Sequence, residues 1–99
     1  MDKKDRILTH AEDLKNRARY NEALPLFRSA LKISRGEGDS MAMIDCFLSI
    51  GDIFRMTGKF KSASENYSSA MDLTKGLKEK VTYADAMVGK GLSVRALGH

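Results

Sequence analysis

Tryptophan is absent from this 99-residue sequence, and cysteine and proline occur once each. A single cysteine excludes an internal disulfide framework. Cys46 lies in the apolar run Cys46-Phe47-Leu48 and reads as a buried thiol in a reducing compartment. No apolar run reaches the length of a signal-peptide core or a membrane span, so the chain reads as cytoplasmic with no membrane partner. Charge of one sign is also scarce. The net charge is +4 and the longest pure basic run is Lys3-Lys4. Without a basic stripe and interleaved aromatics, nucleic acid is not an expected partner.

Catalytic inventory is short as well. There are two histidines, and no HExxH, CxxC, P-loop or GxSxG pattern occurs. Gly36-Glu37-Gly38 and Gly89-Lys90-Gly91 are too short to cradle a phosphate and follow no strand. His10, Glu12 and Asp13 stand at a helical spacing that does not converge on a metal ion. The sequence therefore predicts no enzyme activity, no cofactor and no metal.

What is present is helix-forming material arranged in repeats. Hydrophobic residues make up 42% and charged residues 30% of the chain, an ordinary globular balance. Laying Tyr20–Ser34 over Phe60–Thr74 pairs Tyr20 with Phe60, Ala23 with Ala63, Phe27 with Tyr67, Ala30 with Ala70 and Ile33 with Leu73, always at an offset of 40. The same offset joins Ile7 to Phe47, Ala11 to Gly51 and Leu14 to Phe54. A third copy follows, with Phe47 to Met87, Gly51 to Gly91 and Phe54 to Val94. A constant offset over most of a chain marks stacked supersecondary units.

Apolar residues at three- and four-residue spacing predict helices over Asp5–Ala18, Glu22–Ile33, Met41–Met56, Ser62–Leu73 and Tyr83–Leu97. Breaks are expected at Gly58-Lys59, across Gly36–Ser40 and at Lys75-Gly76, with Asp39 or Ser40 capping the third helix. Pro25 is expected in the first turn of the second helix, where its missing N–H costs little.

These residues resemble the tetratricopeptide repeat, whose pattern runs W-x2-L-G-x2-Y, then A-x3-F. The second unit reads Phe47-x2-Ile50-Gly51-x2-Phe54, then Ala63-x3-Tyr67, then Ala70; the first reads Ile7-x2-His10-Ala11-x2-Leu14, then Ala23-x3-Phe27, then Ala30. The third has Met87-x2-Lys90-Gly91-x2-Val94. The pattern is steric. Small residues at Ala11, Ala23, Ala30, Gly51, Ala63, Ala70 and Gly91 let paired helices approach, while Phe27, Phe47, Phe54 and Tyr67 fill the space beside them. The period of 40 exceeds the common repeat of about 34. With the Gly-Asp turn, it is similar to a longer-period branch that includes kinesin light chains and G-protein-signalling modulators. The usual closing proline is replaced by Arg35 and Lys75.

The resemblance implies an all-α, right-handed solenoid of helical hairpins, with about two and a half repeats and five helices in a single domain over 1–99. Repeat 1 spans about 3–38, repeat 2 about 40–78, and the first helix of repeat 3 about 80–97. It further implies a protein or peptide partner on a concave face lined by the first helix of each repeat. On that face the offset places four rows: Asp5, Asp45 and Asp85; Leu8, Leu48 and Val88; Glu12, Asp52 and Leu92; Lys15, Arg55 and Arg95. Acidic rows beside an aliphatic row predict a partner with basic and apolar anchors. They argue against a clamp for a terminal carboxylate. Glu12–Lys15 and Asp52–Arg55 are also expected as plain i,i+3 pairs.

A different reading is a self-associating helical module without a dedicated peptide groove. The chain is further expected to be part of a longer array. Met87, Val94 and Leu97 are then left without the helix that covers their counterparts, and self-association through this third-repeat helix is expected to be possible.

Overall fold

A computed structural model describes residues 2–77 and 80–98, with the side chains of all but 80–82. Lys78, read as the end of the second unit, lies outside the described residues, as does His99. Five helices follow in order: α1 (Lys3–Asn16), α2 (Tyr20–Glu37), α3 (Ser40–Met56), α4 (Phe60–Leu77) and α5 (Lys80–Leu97). The described residues contain no strand, so the fold is the all-α helical repeat that the periodicity predicts.

Successive helices pack on one another, and α3 also touches α5. The result is a slab of 43 × 32 × 19 Å. The core around α1 to α3 gathers Ala11, Leu14, Ala23, Phe27, Ile50 and Ile53, with Leu8, Tyr20, Leu24 and Phe54 against it. Alanines sit where two helices come close, and aromatic and branched side chains occupy the gaps between.

The repeat is visible in the backbone itself. At the end of α1, Ala18 N–H donates to Lys15 O at 2.9 Å and Arg19 N–H to Leu14 O at 2.9 Å. At the end of α3, Gly58 N–H donates to Arg55 O at 3.2 Å and Lys59 N–H to Phe54 O at 2.8 Å. Both turns need a left-handed residue, with φ 79° at Gly58 and φ 59° at Ala18. Glycine takes that conformation freely, whereas an alanine is strained in it by roughly 1–2 kcal/mol. Asp39 caps α3 by accepting from Ala42 N–H at 3.1 Å, and its carboxylate also pairs with Lys4 of α1.

Three local expectations are corrected. The helices α2 and α4 do not stop at Ile33 and Leu73 but run on to Glu37 and Leu77. Gly36 and Gly76 lie in their last turns, where a glycine costs only about 1 kcal/mol relative to alanine. The residue that ends α2 is Gly38, at φ 67°. Lys75-Gly76 is therefore not a break. Pro25 lies one turn deeper than predicted, because α2 already begins at Tyr20. The carbonyl it leaves without an N–H is that of Asn21, an exposed residue where water can take the bond.

Candidate protein-interaction face

The four predicted rows lie on α1, α3 and α5, the first helices of the units. The outer acids Asp5, Asp45 and Asp85 are exposed. Leu8 and Leu48 are half-buried, while Val88 and Leu92 are exposed. Glu12, Lys15, Asp52 and Arg55 are half-buried, and Arg95 is exposed.

Their pairing differs from the simple i,i+3 scheme. Lys15 Nζ lies 3.0 Å from Asp52 Oδ2 across the α1–α3 junction. Ser49 Oγ donates to Glu12 Oε1 at 3.1 Å across the same junction. Both contacts join residues 37 apart, one helical turn less than the repeat. Neighbouring first helices are thus staggered by a turn, and Lys15 lies level with Asp52 rather than Arg55. Arg55 does approach Asp52 within its own helix, at 3.6 Å. Glu12 turns to Ser49 instead of Lys15.

The same stagger explains Arg55. Lys15 finds Asp52 on the next unit, whereas the corresponding partner of Arg55 is Leu92. Arg55 turns inward and its Nε donates to Tyr67 Oη at 3.1 Å. The Tyr67 hydroxyl in turn donates to Asp52 Oδ1. A buried ring from α4 therefore anchors the charges on this face.

Room for Tyr67 comes from two glycines. A Cβ at Gly51 would stand 2.9 Å from its Cε1, and one at Gly89 2.6 Å from its Cζ. In the first unit the smaller Phe27 corresponds to Tyr67, and Ala11 and Ser49 stand at the matching positions. The larger side chain and the smaller flanks go together.

Burial raises the pKa of the Tyr67 phenol to about 12, with the Asp52 hydrogen bond adding to the shift. A raised phenol pKa contributes stability that is complete below pH 10 and is lost as the pH climbs from 10 to 12. The contribution is on the order of 2 kcal/mol. Tyr67→Phe is expected to abolish this loss. In urea titrations at pH 9, 10 and 11, the wild type should fall relative to the Phe variant by about 1 kcal/mol or more. Parallel decline of the two proteins would show that the phenol does not titrate with folding.

Among the packing positions read from the sequence, Ala11, Ala23, Phe27, Ala30, Gly51, Ala63, Tyr67 and Ala70 are buried, and Phe47 and Phe54 are half-buried. Gly91 departs from that reading. It is exposed with nothing within 4 Å of its Cβ position, because no helix faces it among the described residues.

Asp45 has no ion-pair partner among the described residues. Although its side chain is exposed, the protein around its base partly desolvates the carboxyl and raises its pKa, and the charges of Glu12 and Asp39 raise it further. Asp5, Glu12, Asp45 and Asp52 outnumber Lys15 and Arg55 on the α1–α3 surface, so its balance is acidic. Cys46 is fully buried, and its thiol is pushed up to about 12 by burial first and by Asp45 second. That keeps the thiol protonated and unreactive.

No group of three His, Cys, Asp or Glu side chains converges among the described residues, and no described helix is long and apolar enough to cross a membrane. A family model described as tetratricopeptide repeat matches residues 5–76, which takes in both helix pairs, α1–α2 and α3–α4. Comparison with curated proteins and with solved structures gives no match. Repeats of the matched family are in general non-catalytic modules that mediate protein–protein interaction. The repeat in the backbone, the small residues at its helix crossings and the family match agree: the chain belongs to the tetratricopeptide-repeat family.

Proposed function

We propose that the chain is a non-catalytic scaffold that binds a basic, partly apolar segment of another protein along the face lined by α1, α3 and α5. The observation that carries this reading is the charge balance of the α1–α3 face, where Asp5, Glu12, Asp45 and Asp52 outnumber Lys15 and Arg55, both of which are drawn to Asp52. Glu12 and Asp45 carry no ion pair among the described residues and stand beside the half-buried Leu8 and Leu48. A Lys or Arg of the partner meets these acids, and an aliphatic anchor meets the leucines. The 40-residue period supports placing the chain in the longer-period branch of the family.

The test is selection from a displayed random-peptide library. Selected peptides should pair a basic residue with an apolar one a few positions away. Their affinity for a Glu12→Lys, Asp45→Lys double variant should fall at least about tenfold, as the loss of close charge pairs implies, and should weaken with salt in the wild type. This pair is a cleaner probe than Asp52 and Arg55, whose reversal would also disturb Tyr67. Acidic consensus peptides, or affinities indifferent to the double reversal, would overturn the reading.

A further inference from the structure

On the face that α5 shares with α1 and α3, the four rows are Asp85, Val88, Leu92 and Arg95. Their spacings of three, four and three residues keep them on one seam of the helix. Val88 is 64% exposed, more than any other large hydrophobic side chain among the described residues, and Leu92 is 44% exposed. Asp85 and Arg95 are exposed as well, and neither has an ion-pair partner among the described residues. The seams of α1 and α3 differ in the third row, which there holds Glu12 and Asp52. Those acids are engaged, Glu12 by Ser49 and Asp52 by Lys15 and Tyr67. On α5 the third row is aliphatic and lies open.

This seam is complementary to itself. A second copy of α5, turned end over end about an axis level with Lys90, sets its Leu92 against Val88 and its Arg95 against Asp85. The two-fold axis makes each pairing occur twice. Asp85 and Arg95 stand about 15 Å apart along one helix. The ion pairs therefore close both ends of a centre made of two valines and two leucines. Lys90 is on the opposite side of the helix from the seam, at about 100° per residue, so its charge does not meet its own copy. Gly91, beside the seam, adds no side chain to hold the helices apart. A parallel arrangement would oppose Asp85 to Asp85 and Arg95 to Arg95. The same antiparallel pairing on α1 would bury Glu12 against Leu8, which leaves a carboxylate on an apolar surface. Charge complementarity thus selects both the helix and its direction.

We propose that a second copy of this chain docks on this seam of α5, antiparallel and helix to helix, with Val88 and Leu92 as anchors and Asp85 and Arg95 setting the direction. One helix seam buries less than the roughly 1,200–2,000 Å² of a standard interface, so the dimer is weak and reversible. The seam is separate from Glu12 and Asp45, which carry the proposed peptide site, and stands or falls independently of it.

The test is sedimentation equilibrium of the full chain from micromolar to millimolar concentration, where a monomer–dimer equilibrium is expected. Leu92→Asp, which gives α5 the residue type that α3 has in this row, should weaken dimerisation at least about tenfold. Asp85→Arg and Arg95→Asp should each weaken it several-fold, and the double exchange should restore it to within about twofold of wild type. These positions are exposed, so circular dichroism should show unchanged helix content. Should Leu92→Asp lose helix content, the charge exchange, which conserves composition, decides. The proposal is overturned by a chain that stays monomeric throughout, by a dimer indifferent to a folded Leu92→Asp variant, or by reversals that the double exchange fails to rescue. It is also overturned by a dimer that Val94→Glu dissociates, since the contact then lies on the Met87–Val94 surface. A dimer abolished by the Glu12→Lys, Asp45→Lys double variant overturns it too, because α5 then meets the acidic face of the other copy.

Discussion

Replacing Tyr67 by alanine is expected to destabilise the protein by about 3–5 kcal/mol, the usual range for truncating a large buried aromatic. The ring is 1% exposed and is the largest fully buried side chain among the described residues. It touches the positions of both Gly51 and Gly89. Truncation therefore opens a void between three helices, and the flanking glycines offer no side chains to fill it. It also removes the hydroxyl that Asp52 and Arg55 share. A single domain is stable by only about 5–15 kcal/mol, so a loss of this size consumes much of its margin. Urea unfolding followed by circular dichroism measures it. A loss under about 1 kcal/mol would mean that the second unit does not depend on this ring.

Gly89→Leu is expected to release α5 from the rest of the protein. Even the first carbon of the new side chain would lie 2.6 Å from Tyr67 Cζ and 2.7 Å from Cε1. Gly51 also lies close to the ring and the hydroxyl is anchored by Asp52 and Arg55, which limits how far the ring can move away. Overpacking of this kind costs about 1–3 kcal/mol or more. The α5 interface has little to set against that, since the buried residues among those described on α5, Ala86, Gly89 and Ser93, are all small. Amide hydrogen exchange should show the 18 residues of α5 losing protection while α1–α4 keep most of theirs. Gly89→Ala should act in the same direction but less, since the helix propensity gained, about 1 kcal/mol, opposes the clash. Undiminished protection of α5 in the Leu variant would contradict the close approach.

The fold was legible in the sequence because its determinants are local and periodic. Ala23, Phe27 and Ala30 recur as Ala63, Tyr67 and Ala70, and each set lies at a helix crossing. Helix ends were less legible, because Gly36 and Gly76 resemble stop signals and only backbone conformation shows that Gly38 is the true one. Buried Ser34 and Thr74 were also hidden, as polar residues on a face expected to be apolar. Ser34 Oγ donates to Ala30 O and Thr74 Oγ1 to Met71 O, so neither enters the core unsatisfied. The site was the least legible part. Its rows were read from the 40-residue offset, which sets equivalent residues level with one another, but the pairing depends on the one-turn stagger between helices. That stagger joins Lys15 to Asp52 and denies Arg55 a carboxylate on α5. No periodicity in the sequence reports it.

The packing of each helix on its neighbours in the chain has a kinetic meaning. Turns of two or three residues close the gaps at 17–19, 38–39 and 57–59, so little chain entropy is lost before contacts form. Domains built from such local contacts fold in microseconds to milliseconds, far faster than sandwiches of similar length. A helix pair can assemble first and serve as the template for the next. The ion pair from Lys4 to Asp39 ties the start of α1 to the turn before α3, which couples formation of the first pair to the start of the second.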